Sequence, residues 1–335
     1  EAGSVCGDPG RPARQPAGFL TVAIVPVGVW RGLVRSLVAP GLDPDLPVTE
    51  QRRRIAFATR LLPRPRGVRL VPSAQGDPHG EWHRPPGAGP EHAILYLHGG
   101  GFVVGSPRTH RALASALAMA ARAPVFVLDY RLAPEFPYPA ALDDAMAAWE
   151  WLNTRVPGVH RPAIAGDSAG GNLAIGVALE AARLGSPAAA LGLFSPWLDL
   201  SCQRSASPDA PADLMLSSAW MRACARLYLA GGDVSEPRVS PAHADLADLP
   251  PTLLQSTNSE RLAPEIEVFV ERARAAGADL RADVWPDLWH AWQGLGQALE
   301  PARAALDEAG RFLAAAMSRQ GQVSQESAPN RVGGG

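Results

Sequence analysis

Pro162-Ala163-Ile164-Ala165-Gly166-Asp167-Ser168-Ala169-Gly170-Gly171 is the stretch on which the reading of this chain turns. Pro162 to Ala165 predicts a short apolar strand, and Gly171 to Leu184 predicts a helix directly behind it. Between them, Gly166-Asp167-Ser168-Ala169-Gly170 is a G-x-S-x-G pattern. The glycines relieve crowding around a serine on a sharp turn, and the helix N-terminus stabilises negative charge developing beside it. A Gly-rich turn with a capping serine is the bland alternative; a strand before and a helix after weigh against it.

Working outward, the same alternation repeats. The apolar run Ala93 to Leu97 predicts a buried strand, and His98-Gly99-Gly100-Gly101-Phe102 follows it directly. Three consecutive glycines leave backbone N–H groups free to approach a ligand closely, as an oxyanion site requires. Val104 occupies the place of the third glycine in a G-x-G-x-x-G register, which disfavours a dinucleotide site. Helices are predicted over Arg108 to Ala121, Ala140 to Asn153, Pro264 to Ala276 and Pro301 to Met317, and strands over Pro124 to Asp129, Ala190 to Phe194, Thr252 to Gln255 and Leu280 to Trp285. Such alternation calls for an α/β fold with a mostly parallel sheet flanked by helices. Val68 to Val71 and Gly80 to Arg84 read as an edge hairpin.

The expected organisation is an N-terminal tail and helices over residues 1–66, a first core part over 67–196, an insertion over 197–240, a second core part over 241–318 and a tail over 319–335. Within the first segment, Trp30 to Val38 and Thr49 to Leu62 carry helical spacing. The insertion holds a Ser, Pro and Asp-rich loop and then a helical stretch from Ser217 to Leu229.

Composition narrows the chemistry. The 335 residues are 47% hydrophobic and 19% charged, with a formal net charge of −2, so a sizeable core is available and nothing global favours nucleic acid or anionic lipid. All 31 basic residues are Arg, which removes Walker-A, Schiff-base and lysine-base chemistry. Cys6, Cys202 and Cys224 are too scattered for a disulfide framework or a Cys-rich zinc site, and lean to a reducing, cytoplasmic setting. His79 and His83 are four residues apart, but Pro78, Gly80, Pro85 and Pro86 argue against a shared helical face, so surface positions and no metal are expected. Phe19 to Trp30 is too short to span a bilayer, and Pro26 with no Ala-x-Ala site disfavours a signal peptide.

His98-Gly99-Gly100-Gly101-Phe102, the stretch Asp129-Tyr130-Arg131-Leu132-Ala133-Pro134-Glu135, the serine turn and Ser195-Pro196-Trp197 together resemble the bacterial hormone-sensitive-lipase family (family IV) of α/β-hydrolase esterases, over most of the chain. The resemblance implies Ser168 as nucleophile, an oxyanion hole from the N–H groups of Gly100, Gly101 and Ala169, and a helical cap from residues 1–66 and 197–240. It also implies that His98 orients its loop and that Asp129 to Glu135 is structural support. A preference for short or medium acyl chains is implied in the same way.

In this fold the chain order is serine, acid, histidine. His243 and His290 are the histidines downstream of Ser168, and His290, just past the strand ending at Trp285, holds the position of the base. Where the family offers Asp followed by Pro-Leu, this chain reads Ser256-Thr257-Asn258-Ser259-Glu260-Arg261-Leu262. Glu260 aligns with the acid when the following helix is the ruler, with Asp287 as the fallback. Phe102, Trp220 and Trp292 are the expected substrate-contacting residues, and Trp197, Met215 and Met221 are further candidates for an acyl pocket or for plain core. The expected activity is a serine carboxylesterase acting on a small ester without metal or cofactor, with homo-oligomerisation left open. Amide or lactone hydrolysis uses the same constellation; a non-catalytic receptor and a membrane-associated lipase are the more distant rivals.

Overall fold

The computed structural model describes residues 25–326. The expected N-terminal tail, Cys6, the first half of the apolar Phe19 to Trp30 segment and residues 327–335 lie outside the described residues.

Eight strands form one sheet in the order β1-β2-β4-β3-β5-β6-β7-β8. β1 (Arg69–Pro72) and β2 (Gly80–Arg84) make the expected antiparallel edge pair, and β2 also runs antiparallel to β4 (Val125–Leu128). From β4 onward every pairing is parallel: β3 (Ile94–Leu97), β5 (Ala163–Asp167), β6 (Leu191–Phe194), β7 (Thr252–Thr257) and β8 (Leu280–Trp285). β3 to β7 are buried at every position, as strands covered on both faces must be. α3 (Arg111–Ala121) and α8 (Glu300–Glu326) pack on one face. α4 (Ala140–Thr154), α5 (Ala169–Arg183) and α7 (Ala263–Ala275) pack on the other.

α8 continues to Glu326, so the stretch expected to become a loose tail at residue 319 begins as helix. Before the sheet, α1 (Val27–Leu33) passes into a π-helical turn at Val34–Val38, a 3₁₀ turn at Ala39–Gly41 and then α2 (Val48–Thr59). α6 (Ser218–Leu229) is the helix of the insertion, capped by the Ser217 hydroxyl, which accepts from Trp220 N–H at 3.1 Å.

Two side-chain ties fix these outer helices. Trp220 Nε1 on α6 donates to Gln51 Oε1 on α2 at 2.8 Å. Arg52, also on α2, donates to the carbonyls of Val103 and Ala133 at 2.8 and 2.9 Å and holds Glu135 through both oxygens. α2 is thereby anchored to the glycine loop after β3 and to the Asp129 to Glu135 stretch. Because β3 and β5 to β8 run in one direction, the loops that leave their carboxyl ends share one edge of the sheet, where open α/β sheets build their sites.

Candidate active site

Ser168 stands between β5 and α5 with φ 53° and ψ −123°, a conformation sparsely populated for any residue with a Cβ. Its N–H donates to Phe194 O and its carbonyl accepts from Trp197 N–H, both at 3.0 Å. Gly170 is required by close packing: a Cβ there would overlap the carbonyl oxygen of Leu97. The side chain of Asp167 is buried beneath the turn and accepts from Tyr96 Oη at 2.7 Å and from Gly99 N–H at 3.0 Å.

Gly100 (φ 119°) and Gly101 (φ 61°) adopt left-handed backbone that favours glycine. A Cβ on Gly101 would come within 2.9 Å of both Cys224 Sγ and the Trp220 ring. The N–H groups of Gly100, Gly101 and Ala169 have no protein acceptor among the described residues, whereas Gly99 N–H is used by Asp167. His98 orders the loop from within: its Nδ1 donates to Gly99 O at 2.9 Å and its ring stacks on Tyr130 at 4.2 Å. Burial pulls its pKa down to about 3, so it is neutral. Tyr130 Oη donates to His98 O at 2.6 Å, and Ala133 N–H donates to Phe102 O at 2.9 Å, which ties the Asp129 to Glu135 stretch to the same loop.

Glu260 is fully buried after β7. Its Oε1 accepts from Thr257 N–H at 3.0 Å and Ser195 Oγ at 2.9 Å, and its Oε2 accepts from His290 Nδ1 at 2.7 Å. The Ser195 hydroxyl also accepts from Ala291 N–H at 3.3 Å, so it bridges the acid to the backbone behind the histidine. Burial lowers the His290 pKa, but the hydrogen bond and charge of Glu260 outweigh it and leave the imidazole above its ordinary value. Asp287 makes no hydrogen bond to His290 among the described residues; its carbonyl accepts from Arg31. Ser168 and His290 do not hydrogen-bond each other, yet both line one cavity of about 190 Å³ together with Gly100.

A family model described as alpha/beta hydrolase fold matches residues 94–294. An acetyl-hydrolase of Streptomyces hygroscopicus is 41% identical over 236 residues, covering 70% of this chain and 78% of the relative. A carboxylesterase of Mycobacterium tuberculosis, NlhH, is 33% identical over 66% of this chain and 72% of its own. The crystal structure of an esterase from the bacterial hormone-sensitive lipase family superposes with a TM-score of 0.80 at 35% identity, covering 87% of this chain and 98% of that one. The chain belongs to the hormone-sensitive-lipase family of α/β-hydrolase esterases. It is a carboxylic ester hydrolase.

The cavity of this esterase is walled by the segment around α1 and α2 (Trp30, Val34, Leu37, Leu62) and by Met215, Leu216 and Trp220 from the insertion. Among the expected substrate-contacting aromatics, Trp220 lines it and the other two do not. Phe102 turns into the core at a positive φ of 62° and stacks on Tyr228 at 3.9 Å. Trp292 follows Ala291, itself left-handed at φ 50°, and is buried against Trp285. Met215 lines the cavity, whereas Trp197 and Met221 are core. His243 sits in a 3₁₀ turn on a different cleft, beside Arg204 and Arg272.

His83 corrects an expectation: it is buried, because α3 covers β2 and places Ser115 Oγ 2.9 Å from its Nδ1. Sequence reasoning missed Ser195 and Asp167 as partners in the site, and it missed His110, which lines the cavity 3.4 Å from Asp167. Among the described residues no helix is long and apolar enough to cross a membrane.

Proposed function

We propose that the esterase hydrolyses short- to medium-chain acyl esters by two-step acyl transfer, with Ser168 as nucleophile, His290 as general base and acid, and Glu260 as its orienting carboxylate. The observation that carries this reading is the 2.7 Å contact between Glu260 Oε2 and His290 Nδ1, with His290 and Ser168 lining the same cavity. Glu260 accepts a hydrogen bond from Nδ1–H, which leaves Nε2 as the basic nitrogen.

His290 Nε2 takes the Ser168 hydroxyl proton as Oγ attacks the ester carbonyl, and the oxyanion is received by the N–H groups of Gly100, Gly101 and Ala169. The same proton passes to the leaving alkoxide as the acyl-enzyme forms. Water, deprotonated by His290, then attacks the acyl carbon; the proton returns to Ser168 Oγ as the carboxylic acid departs. A cavity of about 190 Å³ lies below the ~300–1,000 Å³ usual for drug-sized ligands, which supports a short or medium acyl group. The name acetyl-hydrolase carried by the Streptomyces relative points the same way.

A p-nitrophenyl ester series from acetate to palmitate, run on wild type and Ser168→Ala, tests the reading. Turnover that peaks at short or medium chains and vanishes in the variant supports it. Equal turnover in both proteins, or a wild type active only on palmitate, overturns it.

A further inference from the structure

His110 lies at the start of α3 and lines the cavity together with the residues assigned to acyl transfer. Both of its ring nitrogens face acceptors. Nε2 stands 3.4 Å from Asp167 Oδ1, and Nδ1 stands 3.2 Å from the Ser106 carbonyl, which can only accept. The nearby Thr109 hydroxyl, 2.9 Å from Nδ1 and 2.8 Å from Ser106 O, leaves Nδ1 a lone pair when its proton lies on Ser106 O. With Asp167 at Nε2 and the Ser106 carbonyl at Nδ1, these surroundings favour the doubly protonated imidazole.

The ring's partner is the carboxylate that joins the two halves of the site. Asp167 precedes Ser168, and its Oδ1 takes the Gly99 N–H immediately before Gly100. That single oxygen therefore sets the distance between the serine turn and the glycine loop, with Tyr96 Oη as a third donor. A buried carboxylate needs a cation or it takes up a proton, and a protonated carboxyl holds a backbone N–H less firmly. Among the described residues no other nearby group substitutes. His98, stacked on His110 at 5.3 Å, is neutral; Tyr130 lies behind His98; and Arg111 is committed to Glu81 on β2 at 2.8 Å.

We infer that His110, as an imidazolium paired with Asp167, is a positioning residue that fixes the loop carrying the Gly100 and Gly101 N–H groups and gives ester hydrolysis an alkaline limit. The inference rests on the acyl-transfer reading above. The electrostatics agree: burial lowers the His110 pKa, but Asp167 more than reverses this and leaves it raised, while the same pair leaves Asp167 lowered despite burial. The charge is thus present below the raised value and lost as pH rises through it.

The test pairs kinetics with spectroscopy. For p-nitrophenyl butyrate, wild-type kcat should fall on the alkaline side. His110→Gln should lose that limb, with kcat about tenfold lower at neutral pH and KM within about twofold. In histidine-labelled wild type, ¹⁵N NMR should show both His110 nitrogens protonated at pH 7, the signal being assigned by its loss in His110→Gln. An unchanged alkaline limb in the variant, or a singly protonated His110 at pH 7, overturns the inference. Should the wild type be inert to every ester, acyl transfer is what fails, and the NMR signal still decides the ionisation of His110.

Discussion

Glu260 and His290 meet at 2.7 Å with both side chains all but removed from solvent, at 0% and 3% exposure. In such surroundings a carboxylate acts on the imidazole at short range and little screened by water. Replacing it with an amide keeps the shape and removes the charge; the amide can also present its NH₂ to Nδ1 and favour the wrong tautomer. Glu260→Gln should lower kcat for p-nitrophenyl butyrate by on the order of 10³-fold or more. Near-full rate would remove Glu260 from the triad.

The Ser195 hydroxyl is shared between Glu260 Oε1 and Ala291 N–H. Ser195→Ala should reduce kcat by about tenfold with little change in KM, since the hydroxyl orients the acid and touches no substrate. Alanine tolerates φ 46° no worse than serine, so the fold should survive and circular dichroism should be unchanged. A tenfold rise in KM at constant kcat would place Ser195 in substrate binding instead.

In the acyl-transfer mechanism proposed above, activity and pH are coupled through His290, whose imidazole must be neutral to accept a proton. Because Glu260 raises its pKa above the ordinary 6.5, the acid limb of kcat/KM should have its midpoint above that value. Glu260→Gln removes the raising charge and should move the midpoint of whatever activity remains downward. The pH–rate profile of both proteins measures this directly, and an identical midpoint would disprove the coupling.

Stability should show a separate loss as pH rises from acidic to mildly alkaline. Glu265 is buried in the first turn of α7, with Oε1 accepting from Leu198 N–H at 2.8 Å and Oε2 unpaired among the described residues, and burial pushes its pKa up to about 8. A raised carboxyl pKa means that the folded state holds a proton the unfolded state has lost above its own value of about 4.3. Stability should therefore decline as pH rises from that value to about 8, then level off. Glu265→Gln should flatten the fall in Tm across this window, read by calorimetry at several pH values.

Gly170→Ala drives a methyl group into the carbonyls of Leu97 and His98, both backbone atoms that cannot yield. The variant should lose folded protein on expression, or fall by several °C in Tm if it folds at all. Gly185→Ala is a useful contrast: the added methyl meets nothing within 4 Å, and the cost is confined to backbone strain at φ 76°.

Strand and helix order were legible because each apolar run is short and bounded by glycine, proline or a change of period. The pairing of Glu260 with His290 was legible despite the missing Asp-Pro-Leu, since its place before α7 and upstream of His290 survives the change of residue. The contacts of Asp167 and His110 were not, because a contact between distant parts of the chain leaves no local period. Phe102 and Trp292 were misplaced for another reason: one left-handed residue, at Phe102 itself or at Ala291, redirects a side chain, and neither position carries a glycine to signal it. His83 looked solvent-facing only because α3, which covers it, lies far along the chain.

The Trp220 to Gln51 hydrogen bond joins two stretches of chain that enter the sheet at unrelated points. The proposed chemistry sits on loops rooted in the sheet edge, whereas half of the cavity wall is supplied by these two outlying stretches. Inheritance can therefore treat them separately: the wall can drift or be exchanged, remaking which molecules are admitted, while the machinery beneath stays as it was. In laboratory evolution, libraries confined to the cavity-facing residues of 25–62 and 213–221, with the anchors Gln51, Arg52 and Trp220 kept, are the economical way to change what this esterase accepts.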